Sequence, residues 1–248
     1  MKLIRPDWPL PNNVHVAITT RQGGYSSAPW QSANFGLNSG DDCAVVERNR
    51  CALQQQLGLE STPHWLGQVH GTEVLGVENS APEDEADGAI SREPGKAAVV
   101  LTADCLPVLF CNRAGTVVAA VHAGWRGLAN GILRNCVEAM DVANNELSAY
   151  LGPAISQPCF EVGPEVREQF LKHALNDEHR GRIEASFMAG EGDRLLADIY
   201  QLARAELNLL GVTDIHGGDF CTYSQQELFY SYRRDGVTGR LASLIWLE

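Results

Sequence analysis

The spacing of hydrophobic and polar residues changes along the chain, and each change predicts a different element. Residues 14–20 alternate as in a half-buried strand, whereas the runs 97–101, 108–111 and 117–121 are short, almost entirely apolar and rich in valine. Continuous apolar runs of this length are typical of strands that are covered on both faces. They predict a buried central sheet, with residues 112–115 as the hairpin turn between the last two strands.

Apolar residues at spacings of three and four predict helices between and after these strands. The predicted helices span residues 41 or 42 to about 57, 128–140, 164–175 and 195–210. Further strands are predicted at 149–151 and, as a final hairpin, at 228–232 and 241–246. Together these elements predict a mixed α/β (α+β) fold with a central mixed β-sheet flanked by helices. We expect one domain over residues 1–248, since neither a repeat nor a low-complexity linker divides the chain.

Composition and charge narrow the classes of partner. The chain is 44% hydrophobic, which is enough for a sizeable core, and has a formal net charge of −12 with a pI near 5.0. Nucleic acids and anionic membranes are bound through clustered Lys and Arg, so this charge argues against both. A small substrate in a locally basic cavity is compatible with it. The acidic stretch Glu83–Asp87 is predicted to be a solvated loop.

The cysteines indicate a reducing compartment. Seven cysteines, an odd number, are scattered along the chain, and its start is interrupted by Pro6, Pro9 and Pro11 instead of forming an apolar signal segment. No apolar run approaches the roughly 20 residues that a membrane-spanning helix needs. We therefore expect a cytoplasmic protein that does not insert into a membrane.

Two imidazoles and one thiol, those of His70, His122 and Cys105, are predicted at strand-to-loop junctions. The predicted hairpin can bring Cys105 and His122 to the same edge of the sheet, and His70 arrives from a separate strand. Three protein ligands leave a fourth position for water or substrate, which is typical of catalytic zinc. The three residues are therefore candidate metal ligands and catalytic groups. Because the chain has no CxxC or HExxH pair, a buried thiol and two structural histidines remain the alternative interpretation.

Several arginines are candidate phosphate ligands. Arg126 lies at a predicted helix start after a glycine, where it could bind an anion or simply face solvent. Arg21, beside two glycines, offers a second cation. The pair Arg233-Arg234 offers a third, although one of the two must point away if its segment is a strand.

Two further polar residues lie next to the candidate metal ligands. Gln68 is on the same predicted face as His70, where it could contact a base, orient a metal-bound water or remain a surface glutamine. Asp104 precedes Cys105 and is a candidate catalytic proton carrier. The alternative for Asp104 is a hydrogen bond that anchors a ligand histidine.

Ordered motifs along almost the entire chain closely resemble those of the YfiH family. These proteins are known as laccase-domain or polyphenol oxidase proteins and also as purine nucleoside phosphorylases. Several motifs in order are far more specific than any one of them. The matched motifs are Ser-Ala-Asn34-Phe-Gly-Leu, Trp65-Leu-Gly-Gln-Val-His70-Gly, Thr102-Ala-Asp-Cys105-Leu-Pro, His122-Ala-Gly-Trp-Arg-Gly127, Leu151-Gly-Pro-Ala-Ile155, Phe160-Glu-Val-Gly163, Asp219-Phe-Cys-Thr-Tyr223 and Phe229-Tyr-Ser-Tyr-Arg-Arg234.

The resemblance implies a YfiH-like mixed α/β fold with zinc bound by His70, Cys105 and His122. The sequence leaves open whether copper replaces zinc. It implies phosphate-dependent cleavage of adenosine, inosine and 5′-methylthioadenosine, together with adenosine deamination. Asn34 and Tyr223 lie in the matched motifs and are further candidate substrate contacts. The oxidase description fits poorly, because blue-copper oxidases need several copper sites rich in His-x-His, and this chain contains no His-x-His.

Two other functions stay open. With Cys105 as a thiolate nucleophile and His122 as its base, the protein would be a cysteine hydrolase that acts on an amide. The resemblance to the YfiH family implies a peptidoglycan precursor as its substrate. A purine-binding regulator would bind nucleoside without turnover. In the phosphorylase hypothesis, Arg126, Arg21 or both hold phosphate opposite the departing purine.

Overall fold

A computed structural model describes all 248 residues. Thirteen strands form three sheets, and seven α-helices surround them. The strands are β1 Leu3–Ile4, β2 Val14–Thr19, β3 Val74–Gly76, β4 Gly88–Ser91, β5 Ala98–Thr102, β6 Leu106–Asn112, β7 Val118–Ala123, β8 Leu147–Leu151, β9 Glu161–Val162, β10 Phe187–Ala189, β11 Leu195–Ala197, β12 Asp214–Gly217 and β13 Leu241–Leu247. The helices are α1 Cys43–Leu57, α2 Trp125–Ala129, α3 Ile132–Met140, α4 Pro164–Lys172, α5 Asp177–Ala185, α6 Ile199–Leu209 and α7 Tyr232–Asp235.

The largest sheet has six strands in the order β12-β8-β6-β7-β4-β3 and mixes parallel with antiparallel pairs. At its centre β6 and β7 form the predicted antiparallel hairpin, closed by a turn in which Gly115 N–H donates to the Asn112 carbonyl. The register places Pro107 opposite His122. The far end of the hairpin therefore brings His122 back towards the residue that precedes β6.

The predicted central sheet is in fact divided between two sheets. Strand β5 does not join β6 but pairs with β13 in a four-stranded sheet of order β1-β2-β13-β5. The chain turns sharply between β5 and β6, at residues 103–105, and so passes from one sheet to the other. A third, small sheet has the order β10-β11-β9.

The two faces of the six-stranded sheet enter different cores, as the alternation along β6 requires. Phe110 belongs to the largest core, which contains residues of α3 and α6, whereas Leu109 belongs to a core shared with β2, β5 and β13. A third core joins Val99 on β5 to Leu53 on α1. The layers therefore run from α1 through the four-stranded and six-stranded sheets to the remaining helices, which agrees with the predicted mixed α/β class.

Helix α1 begins and ends where the sequence predicts. The Asp42 carboxylate accepts a hydrogen bond from Ala44 N–H, and Gly58 adopts a left-handed conformation with φ +69° as the C-cap. The helix predicted at 128–140 is instead two helices, because Gly131 lies between α2 and α3 with φ +96°. No helix of the protein is both long and apolar enough to cross a membrane.

The segment predicted as a helix over 195–210 also divides. Its first residues form β11, and Asp198 then caps α6 by accepting from Gln201 N–H. The apolar residues of β11 happen to continue the helical spacing of the apolar residues in α6. The sequence pattern therefore predicted one helix where the structure has a strand and a helix.

The predicted C-terminal hairpin is wrong. Residues 228–231 are irregular and Tyr232 begins α7, while β13 is inserted between β2 and β5. Strand β13 is buried along almost its whole length, which a two-stranded hairpin at the surface could not achieve. Phe229 and Tyr230 are fully buried in a small core of their own.

Candidate metal centre and active-site cavity

A cavity of about 680 Å³ lies where the two larger sheets meet. Its wall includes Thr102 at the end of β5, His122 near the end of β7, and Arg240, which directly precedes β13. Cavities of this size hold small organic ligands.

His70, Cys105 and His122 bring their donor atoms together in this cavity. One nitrogen of each imidazole and the Sγ atom of Cys105 all lie within 4.8 Å of one another, and the two imidazole centroids are 4.7 Å apart. His70 comes from the loop before β3, and Cys105 from the bend between β5 and β6. The predicted convergence of these three donors is confirmed.

A buried carboxylate, that of Asp87, positions both histidines. Its Oδ1 accepts hydrogen bonds from His122 Nδ1 at 2.7 Å and from His70 N–H at 3.0 Å, and its Oδ2 accepts from Val69 and Gly71 N–H. Because Nδ1 is engaged by Asp87, Nε2 is the nitrogen of His122 that is available as a metal ligand. Ala86 and Asp87 are both 0% exposed, so the prediction that residues 83–87 form a solvated loop is wrong for its last two members.

Backbone conformation is unusual next to the ligands. His70 has φ +59° and Asp104, the residue before Cys105, has φ +95°. Non-glycine residues rarely adopt this left-handed region, and such residues are concentrated at functional sites. The hydrogen bond from His70 N–H to Asp87 stabilises one of these conformations.

The space between the ligands depends on Gly124. A Cβ atom at this position would lie 3.0 Å from His70 Nδ1 and 3.2 Å from Cys105 Sγ, closer than ordinary contacts. Two imidazoles and a thiolate are donors that zinc and copper both accept, and three ligands leave one position open. The residues present therefore fit a single metal ion of this class.

The charges of the three groups are strongly coupled. Burial raises the pKa of Cys105, but the positive charge of His122 and hydrogen bonds from both histidines outweigh it and lower the pKa to about 6. Burial lowers the pKa of His122, but the Cys105 thiolate and Asp87 raise it to about 9. At neutral pH the metal-free site therefore holds a thiolate, the form that binds metals and attacks electrophiles.

Asp104 lines the cavity but contacts neither histidine. Its Oδ1 accepts a hydrogen bond from the Thr222 hydroxyl at 2.6 Å, and its Oδ2 accepts from Arg233 N–H at 2.7 Å. The carboxylate that anchors a ligand histidine is therefore Asp87, and Asp104 instead joins the Cys105 bend to the C-terminal segments. Its catalytic role stays a prediction.

The cavity wall is basic although the whole chain is acidic. Four arginines line it against two carboxylates, those of Glu83 and Asp104. Two of the arginines, Arg126 and Arg233, were candidates from the sequence, whereas Arg50 and Arg240 were not. A locally basic cavity suits an anionic substrate, as the sequence allows.

The predicted cations differ in where their guanidinium groups lie. Arg126 is exposed at the cavity wall, 4.4 Å from the ring centroid of Trp125. Arg233 lines the cavity and donates to the Glu161 carbonyl. Arg234 points away and donates to the carbonyls of Thr222 and Tyr223. The two neighbouring arginines thus diverge as expected, although from a helix.

Gln68 lines the cavity, and its amide makes two hydrogen bonds to the main chain. Its Nε2 donates to the Leu101 carbonyl at 2.8 Å, and its Oε1 accepts from Leu101 N–H at 2.6 Å. Both ends of the side chain therefore pair with the main chain of β5. This contact ties the segment before His70 to the four-stranded sheet and fixes the orientation of the amide, which keeps one N–H for a further partner.

Arg21 and Tyr223 do not line the cavity. Arg21 donates to the carbonyls of Gln31 and Gln226 and stacks on Tyr230, 4.8 Å from the ring centroid. Tyr223 is 38% exposed. The structure therefore does not support their predicted contacts with phosphate or nucleoside, because neighbouring loops hold both residues outside the wall.

Asn34 is 0% exposed and is not part of the wall either. Its Oδ1 accepts from Gly36 N–H and from Arg240 N–H, and its Nδ2 donates to Ser39 and Asp41. Asn34 therefore organises the loop that leads to the cavity instead of contacting a substrate.

Asp87 and Arg240 are functional-site residues that were not predicted from the sequence. Asp87 is the last residue of an acidic run, and the start of the small, apolar β4 immediately after it was the available signal of burial. Arg240 similarly directly precedes the buried strand β13. A charged residue at the end of a buried strand is placed near other strand ends, where cavities form.

The family model described as multi-copper polyphenol oxidoreductase laccase matches residues 15–248. The chain belongs to this family. Its member YfiH from Escherichia coli K12, named a purine nucleoside phosphorylase, is 50% identical over 247 residues, which cover 99% of each chain. A purine nucleoside phosphorylase from Haemophilus influenzae is 43% identical over the full length of both chains. The resemblance to the YfiH family is thus confirmed.

Solved structures of similar proteins have the same fold. A Neisseria meningitidis protein has a TM-score of 0.93 and 47% identity, with 99% of each chain covered. YlmD from Geobacillus stearothermophilus has a TM-score of 0.87 and 29% identity, with 96% of this chain and 93% of that chain covered. The mixed α/β class of this family member is therefore shown both by its own elements and by its neighbours.

Proposed function

We propose that this family member is a zinc-dependent purine nucleoside phosphorylase. Its substrates would be adenosine, inosine and 5′-methylthioadenosine, with inorganic phosphate as the second substrate, and it would also deaminate adenosine. The observation that carries the proposal is the convergence of His70, Cys105 and His122 beside a cavity with four arginines. The names of the relatives support the phosphorylase activity.

His70, Cys105 and His122 would hold the metal ion. When bound, the ion would supply a Lewis acid with one open position at the cavity. The surrounding hydrogen bonds favour the thiolate form of Cys105, and the bond from Nδ1 of His122 to Asp87 directs Nε2 to the metal. Copper accepts the same donors, so metal analysis of the purified protein decides between the two ions.

The cavity wall provides what phosphorolysis requires. An oxygen of phosphate forms a bond to C1′ of the ribose while the bond from C1′ to N9 breaks, and the purine leaves with the electron pair and takes up a proton. Guanidinium groups on the wall would hold the phosphate near the sugar, whose positive charge develops as the bond breaks. The rings of Trp125, Phe160 and Tyr232 line the same cavity and offer surfaces on which a purine can stack.

The acid–base groups near the metal ligands are already engaged. Nδ1 of His122 donates to Asp87, so the proton on this nitrogen is held by the carboxylate. Asp104 accepts hydrogen bonds at both oxygens and so holds Thr222 and Arg233 in place. These bonds pre-organise the wall, so little rearrangement is needed when a substrate binds.

The direct test is to incubate the zinc-loaded protein with inosine and phosphate. Hypoxanthine and ribose 1-phosphate should appear in equal amounts, and adenosine should yield adenine as well as inosine and ammonia. Cys105→Ala should abolish both products, whereas Cys43→Ala, at an exposed cysteine on α1, should not. Absence of ribose 1-phosphate with both nucleosides would exclude the phosphorylase.

A cysteine hydrolase is the second candidate, favoured by the arrangement of Cys105, His122 and Asp87. A Cys105 thiol with a pKa of about 6 beside His122, which takes up its proton and is oriented by a carboxylate, also describes a nucleophile and its base. In metal-free protein, iodoacetamide should alkylate Cys105 with a midpoint near pH 6, since the thiolate forms above that pH and is protonated below it.

Metal analysis separates the two candidates. One equivalent of zinc in the wild type that is lost in Cys105→Ala supports Cys105 as a zinc ligand. Protein purified without metal that releases ammonia from an amide supports the hydrolase.

The oxidase named in the family description is not proposed. The structure brings one group of side chains to metal-ligand spacing, two histidines and a cysteine, whereas a multi-copper oxidase passes electrons between several copper sites.

A further inference from the structure

The four arginines of the cavity wall are not equivalent, because their charges are balanced to different degrees. Arg50 is paired with Glu83 at 2.9 Å and lies 3.7 Å from Glu47. Arg126 and Arg233 are exposed, so water screens their charges. Arg240 is half-buried and takes part in none of the ion pairs of the protein. Arg240 is therefore the one half-buried cation on the wall that has no carboxylate within ion-pair distance.

The guanidinium of Arg240 lies over the ring of Tyr232, with Cζ 6.0 Å from the ring centroid, and is hydrogen-bonded through Nη1 only. Its Nη1 donates to the carbonyls of Thr238 and Gly239 at 2.9 and 3.1 Å. Nε and Nη2 make no hydrogen bond within the protein and are not among its buried unpaired atoms. These two nitrogens form the edge of the guanidinium that matches two oxygens of a phosphate.

The main chain and stem of Arg240 are equally constrained. Its N–H donates to Asn34 Oδ1 at 2.8 Å, and its carbonyl accepts from Phe35 N–H at 3.1 Å. The stem packs against Gly36, where a Cβ atom would lie only 2.6 Å from Arg240 Cγ. The side chain thus loses little conformational freedom when it binds a ligand.

The register of the four-stranded sheet places Arg240 close to the metal ligands. Leu241 lies opposite Thr102, and the chain runs from Thr102 to Cys105 in three residues. Burial lowers the pKa of Arg240, while the negative charges of Cys105 and Asp104 oppose this change. A cation that has lost part of its hydration gains more from a bound anion than an exposed one.

We propose that Arg240 binds the inorganic phosphate through Nε and Nη2, and that Asn34 is the residue that positions it. The inference rests on the proposed phosphorylase and assigns its phosphate subsite to an arginine outside the sequence candidates. Asn34 acts through the main chain of Arg240 and does not touch the substrate.

Steady-state kinetics with both substrates varied tests the assignment. Arg240→Ala should raise the KM for phosphate roughly 10- to 100-fold, the range expected for loss of a charge-assisted hydrogen bond, and leave the KM for inosine nearly unchanged. Arg240→Lys should restore part of the loss. The control Arg21→Ala removes the same charge outside the cavity and should alter neither constant. An unchanged phosphate KM in folded Arg240→Ala would overturn the inference while the phosphorylase stands.

Direct binding separates this subsite from turnover. Inorganic phosphate titrated into the zinc-loaded protein by calorimetry should bind more weakly to Arg240→Ala than to wild type or Arg21→Ala. If Arg240 proves necessary for phosphate binding but the wild type forms no ribose 1-phosphate, the anion site stands and the proposed reaction fails. If Arg240→Ala weakens the binding of adenosine 5′-monophosphate and not that of inorganic phosphate, the assignment to the second substrate is refuted.

The role of Asn34 has its own signature. Asn34→Ala should raise the phosphate KM in the same direction as Arg240→Ala, because the main chain of Arg240 loses its hydrogen bond. The double variant should show no further increase over Arg240→Ala, since both changes act through one guanidinium. A merely structural asparagine would lower the thermal stability and leave the phosphate KM unchanged.

Discussion

The two ends of the cavity are built in different ways. At the metal end, the buried carboxylate of Asp87 holds the ring of His122 and the backbone of His70. At the arginine end, neutral groups hold a cation, since Arg240 is fixed by main-chain carbonyls and by Asn34. A buried carboxylate thus orients the metal ligands, whereas Arg240 has only neutral hydrogen-bond partners and so keeps Nε and Nη2 for an anion.

The largest effect should come from removing the thiol at the metal end. Cys105→Ala should bind no zinc at stoichiometric protein concentration and should lose turnover, because two imidazoles alone are a weak site. Phosphate binding should survive, since Arg240 depends on other contacts. Metal analysis together with phosphate calorimetry checks both statements. Concurrent loss of phosphate binding would show that the two ends are not separable.

A smaller effect is expected when the counter-charge of the metal end is removed. Asp87→Asn should weaken zinc binding by about 10- to 100-fold, because the hydrogen bonds that orient both histidines are impaired. Competition with a chromogenic chelator measures the change. Asp104→Asn is the matched control, since its contacts are Thr222 and Arg233 and not the histidines. Equal losses in the two variants would contradict the role assigned to Asp87.

A substitution that crowds the metal ligands should lower the zinc affinity less than the loss of Asp87 does. Gly124→Ala places a Cβ atom 3.0 Å from His70 Nδ1, and such overpacking costs about 1 kcal/mol, or roughly fivefold in zinc affinity. The same chelator competition checks the value. A zinc affinity equal to that of wild type would mean that the donors approach the ion from a direction that Gly124 does not limit.

The smallest effect on the kinetic constants is expected for a residue that does not line the cavity. Tyr223→Ala should leave the KM for inosine and for phosphate within about twofold, because exposed side chains away from a site contribute little. Steady-state kinetics measures both constants. A large increase in either one would return Tyr223 to the substrate site.

Parts of the fold with local causes were predictable. The hairpin of β6 and β7 follows from two apolar runs and a turn, and α1 follows from an N-cap and a C-cap glycine. The partner of β13 was not predictable, because an apolar strand can pair with any neighbour and the choice depends on which one completes a core. The same reason explains why β5 was assigned to the sheet of β6.

The sequence by itself determined which side chains could ligate a metal, because imidazole and thiolate at the ends of apolar runs are recognisable without coordinates. Only the tertiary structure decided which charges serve the cavity. Arg21 and Arg240 look alike along the chain, yet one stacks on Tyr230 outside the wall and the other lines it. The distinction arises from strand partners and hydrogen bonds between residues as distant as Asn34 and Arg240, which no local pattern encodes.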